Sequence, residues 1–157
     1  MVLAAGVTLA DQLVKLVIVR AFAPGATVAV IADVLSLTYV QNTGIAFGLL
    51  RGLPLPVLAA TALTVIFLLF YNWTRPGAAS RDGSGRVALG CLLGGAAGNL
   101  IDRLRLGYVI DYLDLHVWPV FNLADVAVLI GGALLLVAAV RQRPSREEPR
   151  RPAGGEG

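Results

Sequence analysis

The sequence predicts an all-α membrane protein: four transmembrane helices with a small β-sheet on the outward-facing side. Three observations predict it. The 157-residue chain is 57% hydrophobic with a mean hydropathy of +0.75, more apolar than a soluble domain of this size. Four apolar runs come near the ~20 residues needed to cross a ~30 Å hydrocarbon core. Between the first two runs, β-branched residues cluster, with Gly25 and Gly44 as punctuation.

The first run covers residues 2–19. Ala21-Phe22-Ala23 after it looks like a signal-peptide cleavage site. However, no basic stretch precedes the run, Asp11 and Lys15 interrupt it, and Pro24 would follow the cut. A retained helix is expected. The loop 20–53 then holds two predicted strands, 27–31 and 34–40, and a short apolar stretch at 45–49. The second run, 54–73, starts with Pro54 and Pro56, where proline is tolerated. The third covers 87–104. The loop 105–121 carries Tyr108 and Trp118, suited to a membrane interface. The fourth covers 122–140. Residues 1–140 thus form one membrane domain, and 141–157 a disordered basic tail rich in Arg, Glu, Pro and Gly.

Arginine placement sets the orientation. Arg75, Arg81, Arg86, Arg141, Arg143, Arg146, Arg150 and Arg151, eight of the thirteen basic residues, fall on one side. Positive charge marks the cytoplasmic side, so both termini are expected there and the loops 20–53 and 105–121 outside. The single Cys91 excludes a disulfide framework, and the sole His116 has no second histidine to share a metal with. No cofactor, no metal and no nucleic-acid partner is expected.

Polar residues recur in compact groups. Asp11-Gln12-x-x-Lys15 lies inside the first run, with Asp11 and Lys15 on one helix face. At ~1.5 Å per residue Asp11 is roughly 15 Å into the span, where a buried charge needs a partner. A structural polar pair is the reading favoured over a direct catalytic role. Asn42-Thr43-Gly44-x-Ala46-Phe47 reads by itself as a turn. The third run ends in Gly94-Gly95-Ala96-Ala97-Gly98-Asn99-Leu100-Ile101-Asp102-Arg103. Its glycines permit close helix packing, while Asn99, Asp102 and Arg103 need polar partners.

Two aspartates stand at the margins of apolar segments: Asp111 in Val109-Ile110-Asp111-Tyr112, and Asp125 in Phe121-Asn122-Leu123-Ala124-Asp125. Ionisable groups at a membrane span are costly and point to function. Two neighbouring carboxyls are also sufficient for acid–base hydrolysis without a metal. Yet Asn122 is a good helix N-cap, and Asp125 then falls at N3, where the helix dipole favours it. Capping and catalysis explain Asp125 equally well at this point.

Taken together and in this order, these motifs resemble the bacterial lipoprotein signal peptidases, or signal peptidase II, from Asp11 to about Val140. The resemblance implies a membrane aspartyl endopeptidase in the bacterial cytoplasmic membrane. Such an enzyme removes signal peptides from prolipoproteins, just before the diacylglyceryl-modified cysteine. It implies Asp111 and Asp125 as the catalytic pair. It implies Asn42, Gly44, Asn99, Arg103, Asn122 and Ala124 as substrate-binding positions, and Asp11 with Lys15 as the helix-one pair. It implies an outward β-cradle and an outward helix in the two outward loops. Lipid-modified prolipoproteins and membrane lipid are the expected partners, with the enzyme a monomer. Asp102, a third aspartate close by, is assigned to structure by the same match.

Two other classes compete. A small transporter or channel also places carboxylates inside a membrane, but the polar groups cluster outward and no inverted repeat is visible. A non-catalytic scaffold explains the glycines but not the clustered Asp and Asn.

Overall fold

A computed structural model describes residues 1–44, 63, 64, 66, 67, 70 and 83–141. Helix α1, Val2–Ala21, outlasts the predicted run by two residues and stops where Phe22 turns extended, just before Pro24. Gly25, at φ 83°, makes a turn that a residue with a Cβ adopts only under strain. Strand β1, Thr27–Ile31, follows and pairs antiparallel with β2, Leu35–Asn42. Between them Asp33 takes φ 58°, a conformation Asp tolerates better than most side chains.

Helix α2, Ser84–Leu106, matches the third apolar run. Gly107 ends it at φ 79°, its N–H bonded to the Arg103 carbonyl. That left-handed cap turns the chain at once into strand β3, Val109–Asp114, which pairs antiparallel with the far edge of β2. The sheet order is β1-β2-β3. Helix α3, Leu123–Arg141, matches the fourth run. The positions described between 63 and 70 are helical, within the predicted second run. The rest of that run, the apolar stretch 45–49 with Phe47, and the tail beyond Arg141 lie outside the described residues.

Two expectations change. The second strand extends to Asn42 instead of stopping at Val40, because β3 supplies partners as far as an Asn42–Val109 pair. The second outward loop contributes a strand, β3, where the sequence suggested none; residues 45–53 of the first outward loop, where an outward helix can also lie, are outside the described residues. Val109, Ile110, Asp111 and Tyr112 are all buried, so both faces of β3 are covered and no alternating pattern marks it in the sequence.

Helix packing depends on absent side chains. A Cβ on Gly94 would lie 2.7 Å from the Ala4 carbonyl of α1, and one on Gly131 2.7 Å from the Ala88 carbonyl of α2. A Cβ on Gly95 would run into the Ala124 carbonyl of α3. Small residues therefore let three backbones approach without a layer of side chains between them. Beneath the sheet, Ile18, Tyr39, Ile110 and Tyr112 form an apolar cluster with Phe22, Leu113 and Leu123 around it.

The described helices expose many apolar side chains. Leu9 and Val17 on α1 are each 62% exposed, and Leu129 on α3 is 74% exposed. So much exposed aliphatic surface fits lipid as the surrounding medium. Among the described residues, Val2–Ala21 and Ser84–Leu106 are long and apolar enough to cross a membrane, and α3 carries a shorter apolar stretch, Leu123–Ala138.

Candidate active site

The polar groups scattered along the sequence meet where the sheet rests on the helix ends. β3 delivers Asp111, 2% exposed, with its carboxyl against two amides. Asn42 Nδ2, from the end of β2, donates to Oδ2 at 2.9 Å, and Asn122 Nδ2 donates to Oδ1 at 2.6 Å. The β2–β3 register explains the first contact: Val40 pairs with Asp111, so Asn42 lies two residues along the adjacent strand.

Asp125 comes from the first turn of α3. Its backbone N–H donates to Asn122 Oδ1 at 2.9 Å, and its Oδ2 accepts the Asn122 N–H at 3.2 Å. This is a reciprocal capping arrangement. The cap leaves Oδ1 of Asp125 to accept from Asn99 Nδ2 of α2 at 2.8 Å. Asn122 therefore binds both carboxyls, that of Asp111 through its side-chain amide and that of Asp125 through its backbone N–H. It also donates to Asn99 Oδ1 at 3.1 Å. Capping and site-building by Asp125 are two uses of one carboxyl.

The other donors at the start of α3 also find separate acceptors. The Leu123 N–H goes to the Tyr112 hydroxyl at 3.2 Å, and the Ala124 N–H to Asp11 Oδ1 at 3.1 Å. A helix start has several N–H groups without intrahelical partners, and here α1 and β3 supply acceptors. Asn122 and Ala124 are fully buried.

Below the aspartates, α1 and α2 share a charged cluster. Lys15 Nζ lies 2.9 Å from Asp11 Oδ2 and 2.7 Å from Asp102 Oδ2, and donates to Asn99 Oδ1 at 3.1 Å. Gln12 Nε2 donates to Asp102 Oδ1 at 2.9 Å and to the Gly98 carbonyl at 3.2 Å. Asp11, Lys15 and Asp102 are buried. The expected Asp11–Lys15 pair forms, but as two members of a three-charge group.

Arg103 and Gly44 form the rim. Arg103 Nη2 donates to the Gly44 carbonyl at 3.1 Å, while the Gly44 N–H donates to Asn42 Oδ1 at 2.9 Å. Asn42 and Arg103 are half-buried. The Arg103 guanidinium has five N–H donors, so it is not saturated by these contacts alone.

Burial, and next the charge of Asp125, pushes the Asp111 carboxyl up from 3.8 to about 7; the Asn42 and Asn122 amides oppose that shift. A carboxyl near 7 can hold a proton at neutral pH beside a charged neighbour. Burial also pushes the Tyr112 phenol up to about 12, which keeps its hydroxyl neutral. Among the described residues no group of three or more His, Cys, Asp and Glu could hold a metal ion. His116 instead meets Ser36 Oγ at 3.1 Å across the sheet, and its backbone N–H holds Asp114 below the usual carboxylate range.

Every site residue expected from the sequence among Asp11, Lys15, Asn42, Gly44, Asn99, Arg103, Asp111, Asn122, Ala124 and Asp125 lies in this connected region. Three contributors had no role assigned from the sequence: Gln12, the Tyr112 hydroxyl and the Ile110 N–H, which donates to Asp102 Oδ2 at 3.2 Å. Gln12 and Tyr112 stand beside charged motif residues, which is the signal that pointed to them. The Ile110 backbone carries none.

A family model described as signal peptidase (SPase) II matches residues 3–141. The lipoprotein signal peptidase of Halothermothrix orenii is 49% identical over 133 residues, covering 83% of this chain and 88% of that protein. That of Moorella thermoacetica is 46% identical over 126 residues, covering 80% and 81%. A bacterial membrane enzyme structure determined in meso at 2.3 Å resolution superposes with a TM-score of 0.83 at 29% identity, covering 94% of this chain and 92% of that one. A second, at 1.9 Å, gives 0.78 at 30% identity, covering 90% and 92%.

Proposed function

Because the chain belongs to the signal peptidase II family, the aspartic peptidases that cleave signal peptides from prolipoproteins, we propose that Asp111 and Asp125 are its catalytic pair. The observation that carries this reading is their shared partner. Asn122 binds a carboxyl oxygen of each, and Asn99 and Asn42 each bind one more. Two carboxyls held this way in a low-dielectric site share one proton, because both cannot readily ionise.

The chemistry follows from that arrangement. A water between the carboxyls loses a proton to the ionised member as it attacks the scissile carbonyl carbon. The protonated member donates a hydrogen bond to the carbonyl oxygen, where negative charge develops. The tetrahedral species collapses when the leaving nitrogen takes up a proton from the carboxyl that received it. Asp111, with its carboxyl pushed up to about 7, is the member assigned the proton, and Asp125 takes the proton from water. No cofactor enters these steps.

Asn42, Gly44, Asn99 and Arg103 border the pair, and we assign the half-buried Asn42 and Arg103 to the substrate backbone. Asn122 and Ala124 are fully buried, so their role is to hold the aspartates. The cut falls just before a diacylglyceryl-modified cysteine whose acyl chains stay in the bilayer, against exposed aliphatic faces such as those of α1 and α3. Both carboxyls and the groups that hold them come from one chain, which supports a monomer as the working unit. The enzyme sits in the bacterial cytoplasmic membrane with four spans, both termini cytoplasmic and the aspartates near the outer face, an orientation supported by the arginine asymmetry.

Purified protein in detergent or lipid, given a prolipoprotein with and without the diacylglyceryl group, tests this. Cleavage of the modified form before its cysteine is expected. No cleavage of either form, or equal cleavage of both, contradicts the assigned substrate. A reporter fused after Val140 should read as cytoplasmic; a reading outside overturns the topology.

A further inference from the structure

The charged cluster under the aspartates reaches each of them by a separate route. β3 is the last strand of the sheet among the described residues, and on its outer edge the Phe121 carbonyl takes the N–H groups of Tyr112 and Leu113. Asp102 holds the strand two residues earlier: its Oδ2 accepts the N–H of Ile110, the residue before Asp111, at 3.2 Å. On the other side, Asp11 Oδ1 accepts the N–H of Ala124, the residue before Asp125, at 3.1 Å. Each candidate catalytic aspartate is thus preceded by a residue whose backbone is pinned to a buried carboxylate. Lys15 joins the two carboxylates, at 2.7 Å to Asp102 and 2.9 Å to Asp11. Its third contact, 3.1 Å to Asn99 Oδ1, fixes the amide that binds Asp125. An ammonium has three N–H donors, and Lys15 uses one toward each of these groups.

We propose that Asp102 and Asp11 are positioning residues that set the separation of the two catalytic carboxyls, with Lys15 as the clamp that locks them together. The proposal rests on the assignment of Asp111 and Asp125 as the catalytic pair. It gives the cluster a role beyond compensating buried charge. An acceptor-only carboxylate against a single N–H fixes that peptide in place, and the carboxyl one residue on inherits the constraint. The same clamp requires glycine at position 98, where a Cβ would lie 2.5 Å from Asp11 Oδ2.

The test compares Asp102→Asn with Asp102→Ala. An Asn oxygen in the Oδ2 position still accepts from Ile110 and Lys15 and forfeits the Gln12 contact; Ala loses all three. Turnover is measured on the monodisperse folded fraction of each, with melting temperature followed in parallel. Misplacing a reacting group by about 1 Å costs on the order of a hundredfold. Asp102→Ala should therefore lose about a hundredfold in kcat with KM for the lipidated prolipoprotein unchanged, and Asp102→Asn should stay within about tenfold of wild type. Equal kcat in all folded fractions, with only the melting temperature lowered, would reduce Asp102 to a structural part and overturn the proposal. So would an Asn variant as impaired as the Ala one, or a loss confined to KM. Asp111→Asn, run alongside, isolates the premise: its activity would remove the catalytic assignment itself, whatever the Asp102 series gives.

Discussion

Removing the Asn42 amide should move the pH profile of the enzyme in a defined direction. Asn42 Nδ2 donates to Asp111 Oδ2 at 2.9 Å, a bond that favours the ionised carboxyl. Burial and the Asp125 charge together hold that carboxyl at about 7 against an ordinary 3.8, so ionising it in place costs ~4 kcal/mol more than in water. A hydrogen bond to a charged group contributes about 1.5–3 kcal/mol, and about 1.4 kcal/mol corresponds to one pKa unit. Asn42 is half-buried and water can replace part of its contribution, so the lower end applies. Asn42→Leu should raise the Asp111 carboxyl by about one unit. The mechanism needs Asp111 protonated, so the wild-type rate falls as pH rises through about 7. In Asn42→Leu that alkaline limb moves about one unit higher. The assay is kcat/KM for a lipidated prolipoprotein measured across neutral pH, because that ratio reports the groups of the free enzyme. An unmoved limb, or one shifted to lower pH, would refute the assignment of the proton to Asp111.

Lys15→Met strands two buried carboxylates at once, and breaking a buried pair costs ~3–5 kcal/mol; a large drop in melting temperature in detergent is expected, and an unchanged one contradicts the clamp. Gly98→Ala and Gly132→Ala should part ways. A Cβ at 98 meets Asp11 Oδ2 while one at 132 meets nothing within 4 Å. Gly132→Ala should gain up to ~1 kcal/mol from helix propensity, whereas Gly98→Ala should lose both stability and turnover; equal effects of the two would remove the steric argument.

Much of the fold was legible because membrane helices announce themselves by composition. Residues 2–19, 87–104 and 122–140 appear as α1, α2 and α3 to within a few residues. The first hairpin was legible from β-branched clusters around a turn. Strand β3 was not, since a strand buried on both faces shows no alternation, and its pairing with β2 spans nearly seventy residues of sequence, as Asn42 with Val109. The i,i+4 spacing predicted Asp11 with Lys15, but nothing in a linear pattern predicts that Asp102 approaches the same ammonium more closely. Asp125 was ambiguous between cap and catalyst for a physical reason: its two oxygens go separately to the Asn122 N–H and to the Asn99 amide. Composition made the polar residues conspicuous, while their convergence depends on the close approach of helices that the glycines allow.

The most direct test of the account is turnover of a lipidated prolipoprotein by Asp111→Asn, Asp125→Asn and the double variant, with thermal stability followed in parallel. Asn keeps the shape of Asp but cannot cycle a proton. Each single variant should be folded and inactive, and the double variant little worse than either, because residues acting as one unit are not additive. Substantial cleavage by either single variant would contradict the aspartyl mechanism.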